Sequence, residues 1–244
     1  MPLFKRLKDY LSPSRIRETE PAMAYDIWAA GYDHQPMNLV LALDEELFSA
    51  LLHEYDTVFP AILDIGCGTG RHWEKLKALK PSRLAGYDVS QGMLSRLAEK
   101  FPGSEIHLLE NMSLPEEKNE SADLLVSTLA LAHMKDLKTA LGAWARILRS
   151  GGELILTDFH PASLLQGGQR TFSDRGKTIA IRNYIHPLPE LVKTCGQLGF
   201  TQLRFLERKI DASVKEFYEK QNALNIYEKF VDTPLIYGMR FKKK

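Results

Sequence analysis

The spacing of hydrophobic positions alternates along the chain between short continuous runs and helical periodicity. Five short apolar runs lie between residues 61 and 158, and most are separated by segments with apolar residues three to four positions apart. Continuous runs of this length are typical of strands buried on both faces of a parallel sheet. We therefore predict right-handed βαβ crossovers. The predicted helices cover 18–31, 40–54, 71–79, 91–100, 136–149, 188–198 and 213–230.

The pattern changes after Asp158. Residues 169–185 alternate around the Ser173, Asp174, Arg175, Gly176 sequence, which predicts a β-hairpin. Two later apolar stretches, 201–207 and 235–241, predict strands that pair antiparallel. The hairpin follows the fifth strand, so we expect it to shape a substrate pocket.

A glycine-rich loop follows the first apolar run, with Gly66, Gly68 and Gly70 at every second position. Such glycines let the backbone turn sharply and let a ligand approach the main chain. The loop lies at the carboxyl end of a predicted strand, where open α/β sheets bind their ligands. Arg71 stands where a dinucleotide motif needs a small residue, and the G-x-x-x-x-G-K-[ST] phosphate motif is absent. The loop therefore predicts a nucleotide-like ligand without a pyrophosphate.

A second acidic residue, Asp88, ends the next predicted strand about twenty residues beyond this loop. A carboxylate there can accept hydrogen bonds from both hydroxyls of a ribose. Ser90 is the better candidate to cap the helix that follows, which leaves Asp88 for the ligand.

These segments resemble the class I S-adenosylmethionine (SAM) dependent methyltransferases. The loop resembles their motif I, residues 110–115 their D-A-x-x-L-P, residues 122–133 their fourth strand and its exit, and residues 148–154 their L-K-P-G-G-x-L turn. In that turn, Gly151 and Gly152 are expected to end the preceding helix. The resemblance covers roughly residues 20–207 and is closest to the small-molecule group of the ubiquinone/menaquinone-biosynthesis kind, methyltransferase type 11.

The resemblance implies an α/β fold with a Rossmann-like, doubly wound, seven-stranded sheet. Its strand order would be 3-2-1-4-5-7-6 with strand 7 antiparallel, plus an N-terminal helical lid and a hairpin insert after strand 5. We divide the chain into an arm and lid, residues 1–40, and a SAM-binding methyltransferase domain, residues 41–244, with the insert at about 168–186.

The resemblance also implies SAM as cofactor and S-adenosylhomocysteine as product. The acid at Asp64 would order the loop, Met93 would pack on adenine, Glu110 would accept from the adenine amino group, and Tyr25 and Tyr32 would belong to an aromatic lid. The full set of predicted cofactor-binding residues is Tyr25, Tyr32, Asp64, Gly66, Cys67, Gly68, Gly70, Asp88, Val89, Met93, Glu110, Asn111 and Leu129.

Methyl transfer from a sulfonium is an in-line displacement that needs proximity, exclusion of water and, for a hydroxyl acceptor, removal of a proton. His160 is the first candidate base because its ordinary pKa lies near neutrality, and His133 and Asp158 also lie near strand ends. His186 is a further candidate. No third metal ligand accompanies Asp158 and His160, so we predict no metal site.

Composition limits the acceptor. A net charge of +1 over 244 residues provides no strong field for nucleic acid. Residues 127–130 lack the [DNS]-P-P-[FYW] segment of amino-methylating DNA and RNA enzymes of this fold. Cys67 lies in the cofactor loop and Cys195 on a late helix, away from the place of a C5-methylating nucleophile. We therefore predict a small-molecule acceptor, methylated on oxygen or nitrogen.

Three alternatives remain open from the sequence. They are an RNA methyltransferase with a separate targeting partner, an NAD(P)-linked reductase and a non-catalytic SAM-binding module. The two cysteines indicate no disulfide framework and the chain has no apolar run long enough to span a membrane. We expect a cytoplasmic monomer or homodimer whose basic residues 1–17 form a solvated helix or disordered arm.

Overall fold

The computed structural model describes residues 17–35, 38–52, 58–110 and 112–244. Nearly all of the predicted basic arm, residues 1–16, lies outside the described residues. The strands are β1 (Arg17–Thr19), β2 (Ala61–Ile65), β3 (Arg83–Asp88), β4 (Glu105–Leu108), β5 (Ala122–Thr128), β6 (Leu148–Phe159), β7 (Thr171–Asp174), β8 (Lys177–Ile181), β9 (Phe200–Lys209) and β10 (Pro234–Lys243). The α-helices are α1 (Pro21–Trp28), α2 (Leu39–Leu52), α3 (Trp73–Ala78), α4 (Gln91–Lys100), α5 (Leu137–Ile147), α6 (Pro161–Leu165), α7 (Leu188–Gln197), α8 (Lys215–Lys220) and α9 (Leu224–Phe230).

Seven strands form the central sheet in the order β4-β3-β2-β5-β6-β10-β9. Neighbours among β2 to β6 are parallel, whereas β10 runs antiparallel to both β6 and β9. Counting core strands from β2, this is the order 3-2-1-4-5-7-6 with an antiparallel seventh strand, as the resemblance implied. The carboxyl ends of β2, β3 and β5 therefore meet at one edge of the sheet.

Both faces of the sheet are covered by helices. Leu63 of β2 packs in a cluster with α5 and α7, while its neighbour Ile62 packs in the opposite cluster with α2, α3 and α4. Because alternate side chains of β2 enter both clusters, all five residues of the strand are buried. This is the physical reason for the continuous apolar run in the sequence.

A second, three-stranded sheet has the order β1-β8-β7. The predicted hairpin is present, and Arg175 and Gly176 at its tip both have a positive φ, of 47° and 75°. The strand β1 pairs parallel with β8 and leads directly into α1. Within the described residues, the longest helices are too short or too polar to cross a bilayer.

Three sequence predictions of element boundaries were wrong. The helix predicted over 18–31 begins at Pro21, because Arg17–Thr19 pair with β8 and proline occupies the first helical turn. The helix predicted over 213–230 is broken at Asn222, which has a left-handed φ of 53°. The helix predicted over 136–149 ends at Ile147 because Leu148 is already extended, so Gly151 turns the chain inside β6 rather than capping the helix.

Candidate active site

A cavity of about 270 Å³ lies between α1 and the carboxyl ends of β2, β3 and β5. We call it the cofactor cavity, and its wall combines loop glycines, one buried acid, lid residues and apolar side chains. It is lined by Glu20, Pro21, Ala22, Tyr25, Tyr32, Gly66, Gly68, Asp88, Val89, Met93, Leu109, Met112, Thr128, Leu129, Ala130, His133 and Met134.

Two glycines of the predicted loop form the floor of this cavity for different reasons. A Cβ at Gly66 would lie 2.6 Å from the Cβ of Ala130, so a side chain there would collide with the β5 exit loop. A Cβ at Gly68 would meet no atom within 4 Å, because the main chain there faces open space. Gly68 therefore leaves room for a ligand against the backbone, as a nucleoside-binding loop requires.

Asp88 lies at the end of β3 in the cavity wall and is only 7% exposed. Its two carboxylate oxygens accept hydrogen bonds from the backbone N–H groups of Gly68 and Ser90, both at 2.8 Å. Burial raises the pKa of Asp88 to about 6, while these two N–H donors limit the rise. Each oxygen keeps a second lone pair, so the carboxylate can still accept from two ligand hydroxyls.

Three other predicted loop residues support the cavity from behind its wall. Asp64 accepts a hydrogen bond from Trp73 Nε1 at 2.9 Å and so ties β2 to the start of α3. Burial raises the pKa of Asp64 to about 7. Cys67 is buried against Gly86, and Gly70 packs beside Trp73. None of the three lines the cavity, so their contribution there is to the shape of the loop.

The segment predicted to form the lid is held by two aspartates and carries two tyrosines. Asp26 accepts hydrogen bonds from Ser90 Oγ at 2.6 Å and from the Gly92 N–H at 2.8 Å, at the start of α4. Asp33 accepts from Thr69 Oγ1 at 2.6 Å and from Lys100 Nζ at 2.9 Å. The preceding residues, Tyr25 and Tyr32, both line the cofactor cavity. In this repeated Tyr–Asp sequence the aspartates thus anchor the segment, and the tyrosines line the cavity.

Tyr25 and His133 form a hydrogen-bonded pair inside the cavity. His133 Nδ1 lies 2.8 Å from the carbonyl oxygen of Arg182, so this nitrogen must carry the proton. Nε2 therefore accepts from the hydroxyl of Tyr25, at 2.9 Å. Burial, with the positive charge of Arg170, lowers the pKa of His133 to about 4. The ring is thus neutral at physiological pH and has one lone pair directed at the lid.

Asp158 and His160 lie outside the lining of the cofactor cavity. Asp158 is 1% exposed and accepts from the N–H groups of Ala132 and Phe159, at 2.7 and 2.6 Å. Burial raises its pKa to about 6. It holds the loop that carries His133. His160 Nδ1 accepts from the Ala162 N–H at 3.1 Å and caps α6, while Nε2 lies 3.2 Å from Glu207.

Two further candidates are elsewhere. His186 Nε2 donates to the carbonyl oxygen of Met134 at 2.9 Å, outside the cofactor cavity.

Glu110 is exposed and does not line the cofactor cavity, so its contact with adenine stays a prediction. Asn111 lies outside the described residues. The structure places Leu109 and Met112 in the wall instead. The sequence shows both residues to be apolar, but an apolar residue can line a cavity or belong to the core. The sequence alone therefore did not identify them as site residues.

A larger cavity of about 700 Å³ lies beside α1 on the side of β6, α6 and the hairpin. We call it the second cavity, and its lining mixes aromatic and aliphatic side chains with amides and two cations. It consists of Trp28, Gln35, Asn38, Leu39, Val40, Phe159, Ser163, Gly167, Gly168, Gln169, Arg170, Thr171, Ile210, Phe217, Tyr218, Gln221, Ile226, Lys229, Phe230 and Leu235. Among the described residues, no cluster of three or more His, Cys, Asp or Glu is placed to hold a metal ion.

Comparison with known proteins agrees with this arrangement. Residues 63–156 match the family described as a methyltransferase domain. The chain is 28% identical over 193 residues to the malonyl-[acyl-carrier protein] O-methyltransferase of Hahella chejuensis. This match covers 78% of this chain and 67% of that protein. It is 35% identical over 105 residues to the ubiquinone/menaquinone biosynthesis C-methyltransferase UbiE of Campylobacter jejuni, which covers 40% of this chain and 44% of that protein.

The fold is shared with solved methyltransferase structures. The N-methyltransferase NodS from Bradyrhizobium japonicum WM9, in complex with S-adenosylhomocysteine, superimposes with a TM-score of 0.63 at 17% identity. The match covers 92% of this chain and 99% of that one.

Sheet order, glycine loop and strand-end acid are typical of nucleoside-binding α/β enzymes, which bind their ligands at the carboxyl edge of the sheet. Together with the matches, they show a class I SAM-dependent methyltransferase. Its cofactor is SAM and its product is S-adenosylhomocysteine. The cofactor cavity fits this nucleoside, because Gly68 leaves space at the backbone, Asp88 offers acceptors and Met93, Leu109 and Met112 offer apolar surface.

Proposed function

We propose that the protein methylates an oxygen or nitrogen atom of a small molecule bound in the second cavity. The observation that carries this proposal is that the two cavities adjoin. Rings from both linings surround the guanidinium of Arg170, with Tyr25 and Tyr32 on the side of the cofactor cavity and Trp28 and Phe159 on the side of the second. The name of the O-methyltransferase relative from Hahella chejuensis supports transfer to oxygen.

The residues of the cofactor cavity would bind and orient the cofactor. Asp88 would accept from the ribose hydroxyls and the backbone at Gly68 would contact the ligand closely. The bound cofactor supplies an electrophilic methyl group and a neutral leaving group. Tyr25 and Tyr32 would close over it and exclude water, which favours reaction with the acceptor over side reactions.

The Tyr25–His133 pair would remove a proton where the acceptor is a hydroxyl or an ammonium group. Tyr25 can take a proton on its oxygen while its own hydroxyl proton passes to His133 Nε2. The hydrogen bond from Nδ1–H to the Arg182 carbonyl favours the imidazolium that results, and it opposes the burial and the charge of Arg170 that lower the pKa of His133. His133 is a better candidate than His160, because His133 lines the cofactor cavity, whereas His160 lies outside that lining and caps α6.

Titration calorimetry with S-adenosylhomocysteine tests the cofactor site. We expect Asp88→Ala to weaken binding roughly 10- to 100-fold, because a charge-assisted hydrogen bond contributes about 1.5–3 kcal/mol. Glu99→Ala removes an exposed acid from α4 and serves as the matched control. Absence of binding to the wild-type protein, or equal binding by Asp88→Ala, would overturn the proposal.

Release of S-adenosylhomocysteine in the presence of a panel of small hydroxy and amino compounds tests the reaction. We expect turnover with members of the panel and an O- or N-methylated product by mass spectrometry. Transfer of labelled methyl to RNA, with none to small molecules, would contradict the assignment of the acceptor while leaving the cofactor intact.

A further inference from the structure

Arg170 lies just before β7 and is only 4% exposed. Its Nη2 donates to the hydroxyl of Tyr32 at 3.0 Å. Nε and Nη1 are buried and have no hydrogen-bond partner within the described part of the chain. No carboxylate among those residues forms an ion pair with it; the charge of Asp158 raises its pKa, but the two oxygens of Asp158 bind the N–H groups of Ala132 and Phe159. Arg170 is thus a buried cation with unused donors.

Four aromatic rings surround this cation. The guanidinium carbon lies 5.4 Å from the ring centre of Trp28, 5.8 Å from those of Tyr25 and Phe159, and 6.0 Å from that of Tyr32. Ring faces attract a cation, but they cannot accept the directional hydrogen bonds of Nε–H and Nη1–H. Water is nearly excluded as well. The surroundings therefore hold a guanidinium in place and leave part of its bonding capacity for a ligand.

The second cavity, whose lining includes Arg170, has the complementary character. Of its described lining residues, none is an aspartate or glutamate, while Arg170 lies in its wall and Lys229 is exposed at its rim. Half of its lining residues are aromatic or aliphatic, such as Trp28, Phe217 and Phe230. Such a cavity favours a ligand with an apolar body and a negative charge.

We propose that Arg170 binds a carboxylate of the acceptor, so that the methylated molecule is a carboxylic acid with an apolar body. This inference rests on the proposed function, since it assigns the second cavity to the acceptor. A carboxylate matches the single charge and planar donors of a guanidinium. The cofactor also carries a carboxylate, but Arg170 belongs to the lining of the second cavity and not to that of the cofactor cavity. The acceptor is therefore the favoured source.

Three carboxylates and their amides test the charge preference. Benzoate, 2-naphthoate and decanoate are titrated into the protein saturated with S-adenosylhomocysteine, each beside its uncharged amide. We expect at least one carboxylate to bind tenfold or more tightly than its amide, and Arg170→Gln to reduce this ratio to threefold or less. Arg175→Gln removes an exposed cation from the tip of the same hairpin and should leave the ratio unchanged.

Arg170→Lys provides a second variant if the glutamine variant does not fold. It keeps the charge and should retain a preference for the carboxylate, with weaker binding because the planar donors are lost. Binding of none of the three carboxylates, or an equal ratio in the wild-type and Arg170→Gln proteins, overturns the inference.

A separate titration distinguishes the two sources of carboxylate. S-adenosylhomocysteine is compared with 5′-methylthioadenosine, which has the same nucleoside but lacks the amino-acid carboxylate. We expect Arg170→Gln to change the affinity for both by less than threefold. A tenfold loss for S-adenosylhomocysteine alone would assign Arg170 to the cofactor and overturn the inference, while the proposed function would stand. Failure of the wild-type protein to bind either nucleoside would overturn the proposed function, and the carboxylate titration on the free protein would then still test Arg170.

Discussion

Buried acids at strand ends perform two different tasks in this site. Asp88 and Asp158 are both buried, and each accepts two backbone hydrogen bonds. Asp88 also lines the cofactor cavity, whereas Asp158 fixes the loop that carries His133. The sequence pattern predicted that both lie at the sheet edge, but it could not separate contact with a ligand from support of a loop. The distinction depends on the backbone N–H groups that each carboxylate binds, and the positions of these groups are determined by the folded loops.

The raised pKa of Asp88 predicts how cofactor affinity depends on pH. In the proposed complex the ionised carboxylate would accept from ribose hydroxyls, so binding would favour the charged form and lower the pKa of Asp88. Affinity for S-adenosylhomocysteine should be constant above about pH 6 and fall as the pH decreases below it. Calorimetry between pH 5 and 8 measures this. Asp88→Asn should bind weakly with no such decrease, and a wild-type affinity that is flat down to pH 5 would contradict the prediction.

The protonation state and tautomer of His133 can be measured without a methyl acceptor. Because burial and the charge of Arg170 lower its pKa to about 4, the ring should remain neutral, with the proton on Nδ1, throughout the neutral range. Nitrogen NMR of histidine-labelled protein, assigned with His133→Gln, reports the tautomer directly. Arg170→Gln should raise the pKa of His133, since one cause of the shift is removed. A ring that titrates near its ordinary pKa of about 6.5 would refute this description.

Substitution of the two histidines should affect turnover differently. His133→Gln should lower kcat about 100-fold while the affinity for S-adenosylhomocysteine changes little, because it removes the proposed proton acceptor. His160→Gln should have a much smaller effect on kcat, since His160 caps α6. Steady-state kinetics with an acceptor from the panel measures both variants. A greater loss of kcat in His160→Gln would restore the original preference for His160.

At the scale of elements, Asp26 of the helix α1 joins this helix to the start of α4. Asp26→Ala removes the acceptor of two hydrogen bonds, from Ser90 Oγ and the Gly92 N–H. We expect about tenfold weaker binding of S-adenosylhomocysteine and faster amide hydrogen exchange in residues 21–32, with little change in Tm. Ile27→Ala alters an exposed residue of the same helix and is the control. Exchange that is unchanged in Asp26→Ala would show that other contacts hold the lid.

Elements with a strong local pattern were predictable, and those that depend on distant pairing were not. The strand β2 and the helix α4 follow from apolar runs, periodicity and a serine cap. The strand β1 has three residues, and its partner β8 lies about 160 residues further along the chain. No local propensity reports such a pairing. The break at Asn222 was also missed, because the surrounding positions keep a helical composition across a left-handed residue.

At the scale of the whole molecule, Asp44 joins three parts of the fold. It lies in α2 and is fully buried, with His72 Nε2 at 2.8 Å and further hydrogen bonds from Arg71 and from Thr157 of β6. Burial alone would raise the pKa of Asp44, but the charge of Arg71 and the hydrogen bond from His72 hold it well below its ordinary value. The helix, the glycine loop and the sheet are therefore connected through one carboxylate.

Loss of this carboxylate should destabilise the entire protein. Asp44→Ala removes a fully buried carboxylate and leaves the partly buried guanidinium of Arg71 without its main partner, which costs about 3–5 kcal/mol and should lower Tm by on the order of 6 °C or more. Since the folded pKa is depressed, the stabilisation by Asp44 is present above about pH 4 and is lost as the pH falls further. Thermal denaturation from pH 3 to 8 measures this, and the variant should lose the corresponding decrease at low pH. Glu46 lies on the same helix as Asp44 and forms an exposed ion pair with Arg208 of β9. Glu46→Ala breaks this pair and should change Tm little. Equal effects of the two substitutions would contradict the role of Asp44.

The candidate site could be predicted in the part that follows a short motif. Gly66, Gly68 and Asp88 come from adjacent strand ends in the chain order that the fold requires, and the structure brings them to one wall. Arg170 could not be predicted, because it is a single cation outside any motif. Its significance comes from burial among rings of α1 and β6, which are more than a hundred residues apart in sequence.

The three-stranded sheet of β1, β8 and β7 connects the coverings of the two cavities. Its first strand continues into α1, and Trp28 of α1 stacks on Phe172 of β7 with ring centres 4.6 Å apart. Because one small sheet joins both coverings, we expect a displacement of β1 and α1 to open the two cavities together. Release of S-adenosylhomocysteine and of the methylated product would then be coupled, and the rate of this opening would set an upper limit on kcat.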